Sequence, residues 1–170
     1  MYCGNPLGLF WPLLWACVLH ELGHVVLILW MGKRIESIRL GLLEAVIQTG
    51  PMSYRQEIIC ALAGPTVNLV CAMGFREQFP EFAIMSLFLG GFNLLPVYPL
   101  DGGRALQACF FQCFSEKKAL CLQKGVQTGV LAGIVLFAIW ASCVQHYGLW
   151  PALIGAGVLF RLDANMRDEK

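Results

Sequence analysis

Three side chains near the N-terminus have the types and the spacing of a metal site. His20 and His24 lie four residues apart, and Glu21 directly follows the first of them. On a helix, residues i and i+4 project from one side, so both imidazoles can bind the same Zn²⁺ ion. Such an ion lowers the pKa of a bound water, and a neighbouring glutamate can take that water's proton and later return it to a departing amine. The pattern predicts zinc-assisted hydrolysis with Glu21 as the catalytic base and acid.

A tetrahedral zinc site with one open position needs a third protein ligand, and Asp101 is the best candidate. It follows an apolar segment in which Pro96 and Pro99, with Gly102 just beyond, argue against an unbroken helix. Irregular backbone at membrane depth usually lines a cavity. The alternative is that Asp101 caps a helix beginning near Gly102. The presence of the two histidines favours the interpretation of Asp101 as a metal ligand over its interpretation as a helix cap.

The composition places these residues in a membrane protein. The 170 residues are 58% hydrophobic and only 14% charged, whereas soluble domains carry about 25% charged residues. Ionisable groups at membrane depth are costly and mark functional sites, although histidines satisfied within a helix bundle are the plainer alternative. A net charge of +1 gives no basic surface that would predict a nucleic-acid partner. We expect one domain, residues 1–170, with the lipid bilayer as its solvent.

Long segments with almost no charge predict an α-helical integral membrane protein with about five transmembrane helices. Residues 5–32 contain only Glu21 as a charged side chain, and residues 58–75 and 82–100 contain none. The uncharged residues 125–160 are long enough for two passes, of which the second, about residues 146–162, is short and has a re-entrant segment as its alternative.

Between the first two predicted helices, residues 33–56 are rich in Ile, Leu and Val with intermittent charges. This pattern predicts a small β-hairpin at the membrane surface. An amphipathic interfacial loop is the alternative. The two interpretations are equally supported by the sequence.

The positions of Lys and Arg predict the orientation in the membrane. Counted from the N-terminus, the segments outside the five predicted helices carry 0, 4, 1, 4, 0 and 3 of them. By the positive-inside rule this places the N-terminus outside and the C-terminus in the cytoplasm. His20 and His24 then lie past the midpoint of the first helix, and Asp101 at the inner end of the third. All three candidate ligands fall toward the cytoplasmic side.

Three motifs in order resemble the site-2 protease family of intramembrane zinc metalloproteases, peptidase family M50. Residues 20–24 match its HExxH motif, residues 63–68 its AGPxxN segment, and residues 93–102 its NxxPxxxxDG motif. The resemblance implies one zinc ion held by His20, His24 and Asp101. It also implies cleavage of peptide bonds in or near transmembrane segments of membrane-tethered proteins, including release of a sigma factor or another regulator.

The compact chain is similar to the branch that contains the sporulation proteases. We therefore expect a bacterial plasma-membrane protein without a PDZ or CBS domain, acting on a membrane-protein substrate, with a regulatory membrane partner as a further expectation. The resemblance further suggests that an edge strand of the hairpin pairs with an extended substrate. The sequence carries no signal for an oligomeric state.

Two asparagines are candidate substrate-binding residues. The resemblance places Asn68 near substrate, where its amide would position the peptide or stabilise an oxyanion. Its alternative role is an interhelical hydrogen bond. Asn93 has the same two interpretations, with structure favoured.

Functions of other classes are less well supported. A metal transporter would also line its path with His and carboxylate groups, but no relay of such residues continues through the other predicted helices. A non-catalytic membrane scaffold would not need an intact base beside the metal. The eight cysteines lack paired metal-ligand spacing, and we expect free thiols.

Overall fold

The computed structural model describes the backbone of residues 6–40 and 45–145. Within these residues the chain forms long helices and one short antiparallel strand pair. In chain order the elements are α1 (Pro6–Trp30), β1 (Ile35–Leu40), β2 (Ala45–Thr49), α2 (Tyr54–Gly74), α3 (Pro80–Asn93), α4 (Asp101–Cys113) and α5 (Glu116–Gln145).

Three of the described helices are long and apolar enough to cross a membrane. These segments are Gly8–Trp30 in α1, Tyr54–Gly74 in α2 and Glu116–Trp140 in α5. A helix rises about 1.5 Å per residue, so about 20 residues span the hydrocarbon. The α-helical membrane architecture expected from the sequence is therefore present. The predicted fifth pass, about residues 146–162, lies outside the described residues, and the total of five stays a prediction.

In the third predicted pass, residues 82–100, the helix ends before Pro96, as the prolines of this segment predicted. Helix α3 has 14 residues and ends at Asn93, which gives a length of only about 21 Å. Pro96 disfavours the helical conformation at Leu95 and lacks a backbone N–H, and both properties favour an end of the helix here. Short turns hydrogen-bond the backbone beyond α3, including Val97 N–H to the Leu95 carbonyl at 2.8 Å and Leu100 N–H to the Val97 carbonyl at 2.9 Å.

Small side chains fill the interior, and large apolar side chains lie outside. The buried apolar residues are mostly alanines, such as Ala61 at 2% exposure and Ala108 at 1%. By contrast, Trp15 and Trp30 of α1 are 57% and 82% exposed. Lipid is as apolar as leucine, so membrane helices associate through close packing of small residues rather than through burial of large ones. The distribution is that of a bundle whose solvent is the bilayer.

Helix α2 is the central element of this bundle. It packs against α1, α3 and α4. A capping box fixes its start: the Ser53 hydroxyl accepts from Gln56 N–H at 3.4 Å, and Gln56 Oε1 accepts from Ser53 N–H at 3.0 Å. With its first turn fixed in this way, α2 presents one defined face to α1.

The two strands pair in an antiparallel manner in the segment for which the sequence predicted a hairpin. Ile38 lies opposite Ile47 and Leu40 opposite Ala45, and the register shifts between Ile35 and Ser37. Residues 41–44 lie outside the described residues. The placement of the hairpin at a membrane surface, and its pairing with substrate, stay predictions.

The small-residue interior generates a stability prediction. We expect Ala108→Leu to lower the thermal midpoint of the purified protein in detergent, because overpacking a filled interior costs about 1–3 kcal/mol. Ala132→Leu makes the same change on the exposed surface of α5 and should leave the midpoint almost unchanged. Equal effects of the two variants would contradict the interior that we describe.

Candidate metal centre

The structure brings His20, His24 and Asp101 together between α1 and α4. All three are buried, with exposures of 5%, 7% and 8%. His20 Nε2 lies 3.0 Å from Asp101 Oδ2, His24 Nε2 lies 3.3 Å from the same oxygen, and the two Nε2 atoms are 3.3 Å apart. The fold thus brings Asp101, which lies 81 residues after His20 in the chain, close to both histidines.

The spacing of these atoms fits a zinc ion. Zinc in proteins is tetrahedral, with nitrogen and carboxylate ligands at about 2.0–2.2 Å, so neighbouring ligand atoms lie about 3.3–3.5 Å apart. The observed separations of 3.0–3.3 Å are close to this value. Two histidines and one carboxylate also leave the fourth position open, as catalytic zinc sites do.

Gly64 keeps the space beside these atoms free. A Cβ built on Gly64 would overlap His24 Nε2 and would lie 2.8 Å from His20 Nε2. Any side chain at this position would therefore displace the imidazoles or occupy the volume that a bound ion needs. Gly64 is the second residue of the segment that resembles AGPxxN, and its close contact with both imidazoles gives a physical reason for glycine there.

Three residues of α2, each four positions after the last, contact the two histidines. The Cys60 carbonyl accepts a hydrogen bond from His24 Nδ1–H at 2.8 Å, Gly64 faces both Nε2 atoms, and the Asn68 amide lies 3.3 Å from His20 Nδ1. A carbonyl can only accept, so His24 must carry its proton on Nδ1. Its Nε2 lone pair is then directed toward Asp101, as metal ligation requires.

Asp101 does not cap a helix in this structure. It is the first residue of α4, Leu100 holds the cap position, and no side-chain hydrogen bond caps that described end. Its carboxylate faces the histidines instead. Close backbone contact makes this placement possible, because a Cβ on Gly102 would overlap Leu94 and a Cβ on Gly103 would overlap Val97.

Glu21 lies beside the three ligand atoms without being one of them. It is partly exposed, and its charge is within electrostatic range of all three candidate ligands and of Arg104. Arg104 was missed by the sequence interpretation. Its position three residues after Asp101, on the same side of α4, is the pattern that would have indicated it.

The two asparagines are placed differently. Asn68 is fully buried and contacts His20, so its amide joins α2 to α1. Asn93 is partly buried at the end of α3, where its side-chain amide donates to the Leu89 carbonyl at 3.1 Å within the same helix. The substrate-binding role of both stays a prediction.

The cysteines contribute no ligand to this centre among the residues that the structure describes. Those whose side chains are described are Cys17, Cys60, Cys71, Cys109, Cys113 and Cys121, and all are free. They agree with the expectation of free thiols.

Fold and site together define a class of protein: an integral membrane protein with two buried histidines and one buried aspartate that could hold a metal ion, and with a glutamate next to the first histidine in the chain. Comparison with solved structures gives a site-2 protease from Methanocaldococcus jannaschii with a TM-score of 0.66. That match has 24% identity and covers 92% of this chain and 76% of the other. At this level of sequence identity, the structural match shows that the two chains share a fold and nothing more specific.

Sequence comparisons find similarity to a family of peptidases. Residues 71–139 match the profile of peptidase family M50. A zinc metalloprotease from Methanocaldococcus jannaschii is 28% identical over 150 residues, which are 78% of this chain and 44% of that protein. Stage IV sporulation protein FB from Bacillus subtilis is 29% identical over 161 residues, which are 87% of this chain and 53% of that protein. The chain spans about half the length of these curated relatives. The chain is similar to peptidase family M50 over residues 71–139, and to these relatives over most of its length.

The contact of Gly64 with the imidazoles generates a prediction about metal binding. We expect Gly64→Ala to abolish stoichiometric zinc binding, because the added methyl group takes the space beside both Nε2 atoms. Zinc content of the purified protein, measured by atomic emission, checks this. Gly91→Ala is the matched control, since a Cβ on Gly91 has no described neighbour within 4 Å. Full zinc occupancy in Gly64→Ala would rule out a metal at this point.

Proposed function

We propose that this protein is an intramembrane zinc metalloprotease that hydrolyses peptide bonds in or near transmembrane segments of membrane-tethered proteins. The observation that carries the proposal is the convergence of His20, His24 and Asp101 at 3.0–3.3 Å beside Glu21 in a membrane-spanning helix bundle. The match of residues 71–139 to peptidase family M50 and the metalloprotease names of the relatives support it.

In the proposed mechanism, His20, His24 and Asp101 hold the metal, and Glu21 moves the proton. When bound, the zinc ion acidifies a water molecule and polarises the scissile carbonyl. Glu21 takes a proton from the attacking water and then gives it to the leaving amine nitrogen. Its position next to His20 in the chain and its partial exposure suit both steps, because its charge is within electrostatic range of the ligand residues and it stays partly accessible.

The depth of the site supports a membrane segment as the substrate. His20 is the fifteenth residue of the 25-residue α1, so it lies about 21 Å from the start of a helix about 37 Å long. A peptide bond must reach this depth to be cut. A transmembrane helix has all its backbone groups paired internally, so we expect it to unwind locally before hydrolysis.

The relatives support one finer proposal about the client. Stage IV sporulation protein FB bears a sporulation name, and we infer that release of a membrane-tethered regulator, including a sigma-factor precursor, is the reaction to test first. A regulatory membrane partner would then control access of the client to the site.

Metal transport fits the described residues less well. The buried histidine and carboxylate side chains among them are His20, His24 and Asp101, and the other buried residues classed as polar are neutral: Asn68, Ser86, Gln123 and Gln127. An ion path would need ligands at several depths. One cluster with an adjacent base is the arrangement expected of a hydrolase.

We also propose that the N-terminus lies outside, that the C-terminus lies in the cytoplasm of a bacterial cell, and that the metal site is nearer the cytoplasmic face. The alternation of Lys and Arg along the chain supports this orientation.

Glu21→Gln gives the direct test of the reaction. We expect cleavage of membrane-anchored reporter precursors in liposomes to fall by about 100-fold or more, because a proton carrier is lost. Zinc content should stay at about one ion per chain, because glutamine leaves the three ligands intact. Glu116→Gln, an identical change at an exposed position, should cleave as the wild type does.

In Asp101→Ala we expect zinc to be lost together with activity, whereas Glu21→Gln should lose activity and keep zinc. Wild-type activity in Glu21→Gln would remove Glu21 from the proton transfers. Full zinc occupancy in Asp101→Ala would exclude Asp101 as a ligand. Absence of zinc from the wild type would overturn the proposed function itself.

The orientation predicts the location of two exposed connections. Alkaline phosphatase fused after Glu77 should be active, and green fluorescent protein fused after Glu116 should fluoresce, because phosphatase folds outside and the fluorescent protein inside the bacterial cell. The reciprocal fusions should be inactive and dark. The reverse pattern would contradict the orientation.

A further inference from the structure

The Asn68 side chain has a contact that the proposed chemistry does not yet explain. Asn68 is 0% exposed, and its side-chain amide nitrogen lies 3.3 Å from His20 Nδ1. Its amide oxygen is buried and has no hydrogen-bond partner among the described residues. A buried carbonyl oxygen without a donor has lost its hydrogen bonds to water without replacing them, so its presence at this point calls for a physical explanation.

Metal ligation through Nε2 sets a requirement on the other ring nitrogen. The neutral imidazole carries one proton, and Nε2 can bind a metal only if that proton is on Nδ1. Nδ1–H then needs an acceptor. His24 meets the requirement with the Cys60 carbonyl at 2.8 Å. At His20 the group facing Nδ1 is the Asn68 amide.

An amide presents either a donor or an acceptor, depending on which way it is turned. With nitrogen toward His20, Asn68 donates to Nδ1, and the ring proton is on Nε2, where it points at Asp101. A half-turn of the amide exchanges its two ends and directs oxygen at Nδ1. His20 then keeps its proton on Nδ1, and its Nε2 lone pair is free for the metal.

We propose that Asn68 is the positioning residue of His20: its amide oxygen accepts the Nδ1 proton and thereby fixes the ring orientation and tautomer that bind zinc. The inference rests on the zinc site of the proposed function and assigns Asn68 a place behind the ligand, away from substrate. Cys60 and Asn68 lie two helical turns apart on α2 and perform the same task for the two histidines.

The position of Asn68 argues against direct contact with the reacting peptide. An oxyanion donor must lie about 2.7–3.1 Å from the reacting oxygen. Asn68 contacts His20 Nδ1, whereas the ring nitrogen that faces Asp101 is Nε2. On its other side, the Asn68 Cβ lies against Gly90 of α3, where an added methyl group would be only 3.1 Å away. The amide is enclosed between the imidazole and α3.

The test compares two substitutions that separate acceptor from donor. Asn68→Asp keeps an acceptor at Nδ1 and removes the donor, whereas Asn68→Leu keeps the branching at Cγ and removes both. Zinc affinity is measured by competition with a chelator on the purified full chain in detergent. We expect Asn68→Leu to bind zinc about 10–100-fold more weakly, the usual effect of losing an outer hydrogen-bond partner of a metal ligand. Asn68→Asp should bind within a few-fold of the wild type or more tightly.

Asn93→Leu is the matched control for zinc affinity, since it makes the same change at an amide that bonds to the Leu89 carbonyl. The absorption spectrum of the cobalt-substituted protein gives a second measurement that is independent of turnover. We expect the Asn68→Leu spectrum to shift and the Asn68→Asp spectrum to keep the wild-type band pattern, because only the former loses the acceptor.

Two results would overturn the inference. Wild-type zinc affinity in both Asn68 variants, with cleavage lost in both, would assign Asn68 to substrate as a donor. Equal loss of zinc in both, with equally lowered thermal midpoints, would assign it to packing alone. Either result leaves the proposed protease function standing, because that function depends on zinc and Glu21 in the wild type.

Discussion

The rest of the structure depends on the burial of one carboxylate among helices that face lipid. An unpaired charge at membrane depth is unfavourable by several kcal/mol, and it persists only where partners and a functional role hold it. Asp101 has two imidazole partners at 3.0 and 3.3 Å, both on α1. Since α1 and α4 are far apart in the chain, the bundle must bring them together at one depth with an accuracy of a few tenths of an ångström.

Helix α2 provides that accuracy through a backbone carbonyl and a glycine that face α1. A backbone carbonyl at Cys60 and a missing side chain at Gly64 allow α1 to approach α2 closely enough for His24 Nδ1 to donate at 2.8 Å. The glycines that follow Asp101 have the same effect at the start of α4, which packs against the irregular segment before it. Close helix packing in a membrane relies on small residues for this reason. The metal-binding geometry and the packing of the bundle are therefore one arrangement.

The local part of this site follows from the sequence, and the rest depends on contacts between distant segments. His20, Glu21 and His24 are predictable because a helical period alone puts the histidines on one side. Asp101 needed the further assumption that the third hydrophobic segment ends at the depth of the first motif. An uncharged run does not distinguish a helix from irregular backbone buried in protein, but the prolines of this segment indicated where α3 ends. Gly64, the Cys60 carbonyl and the contact of Asn68 with His20 depend on the register of α2 against α1, which no local pattern specifies.

Interhelical hydrogen bonds in this bundle hold helices together and also position the groups proposed to hold the ion. Without a hydrophobic force between helices, polar contacts contribute to association as well as to chemistry. Bonds from His24 to Cys60 join α1 to α2, the His20–Asp101 pair joins α1 to α4, and Gln123 Nε2 donates to the Gly103 carbonyl at 3.2 Å and joins α5 to α4. The last contact lies two residues from Asp101, so α5 helps to hold the carboxylate in place without touching the metal centre. Because the groups proposed to hold the ion also connect the helices, metal binding and assembly of the bundle are coupled, as is general where a site forms only in the folded state.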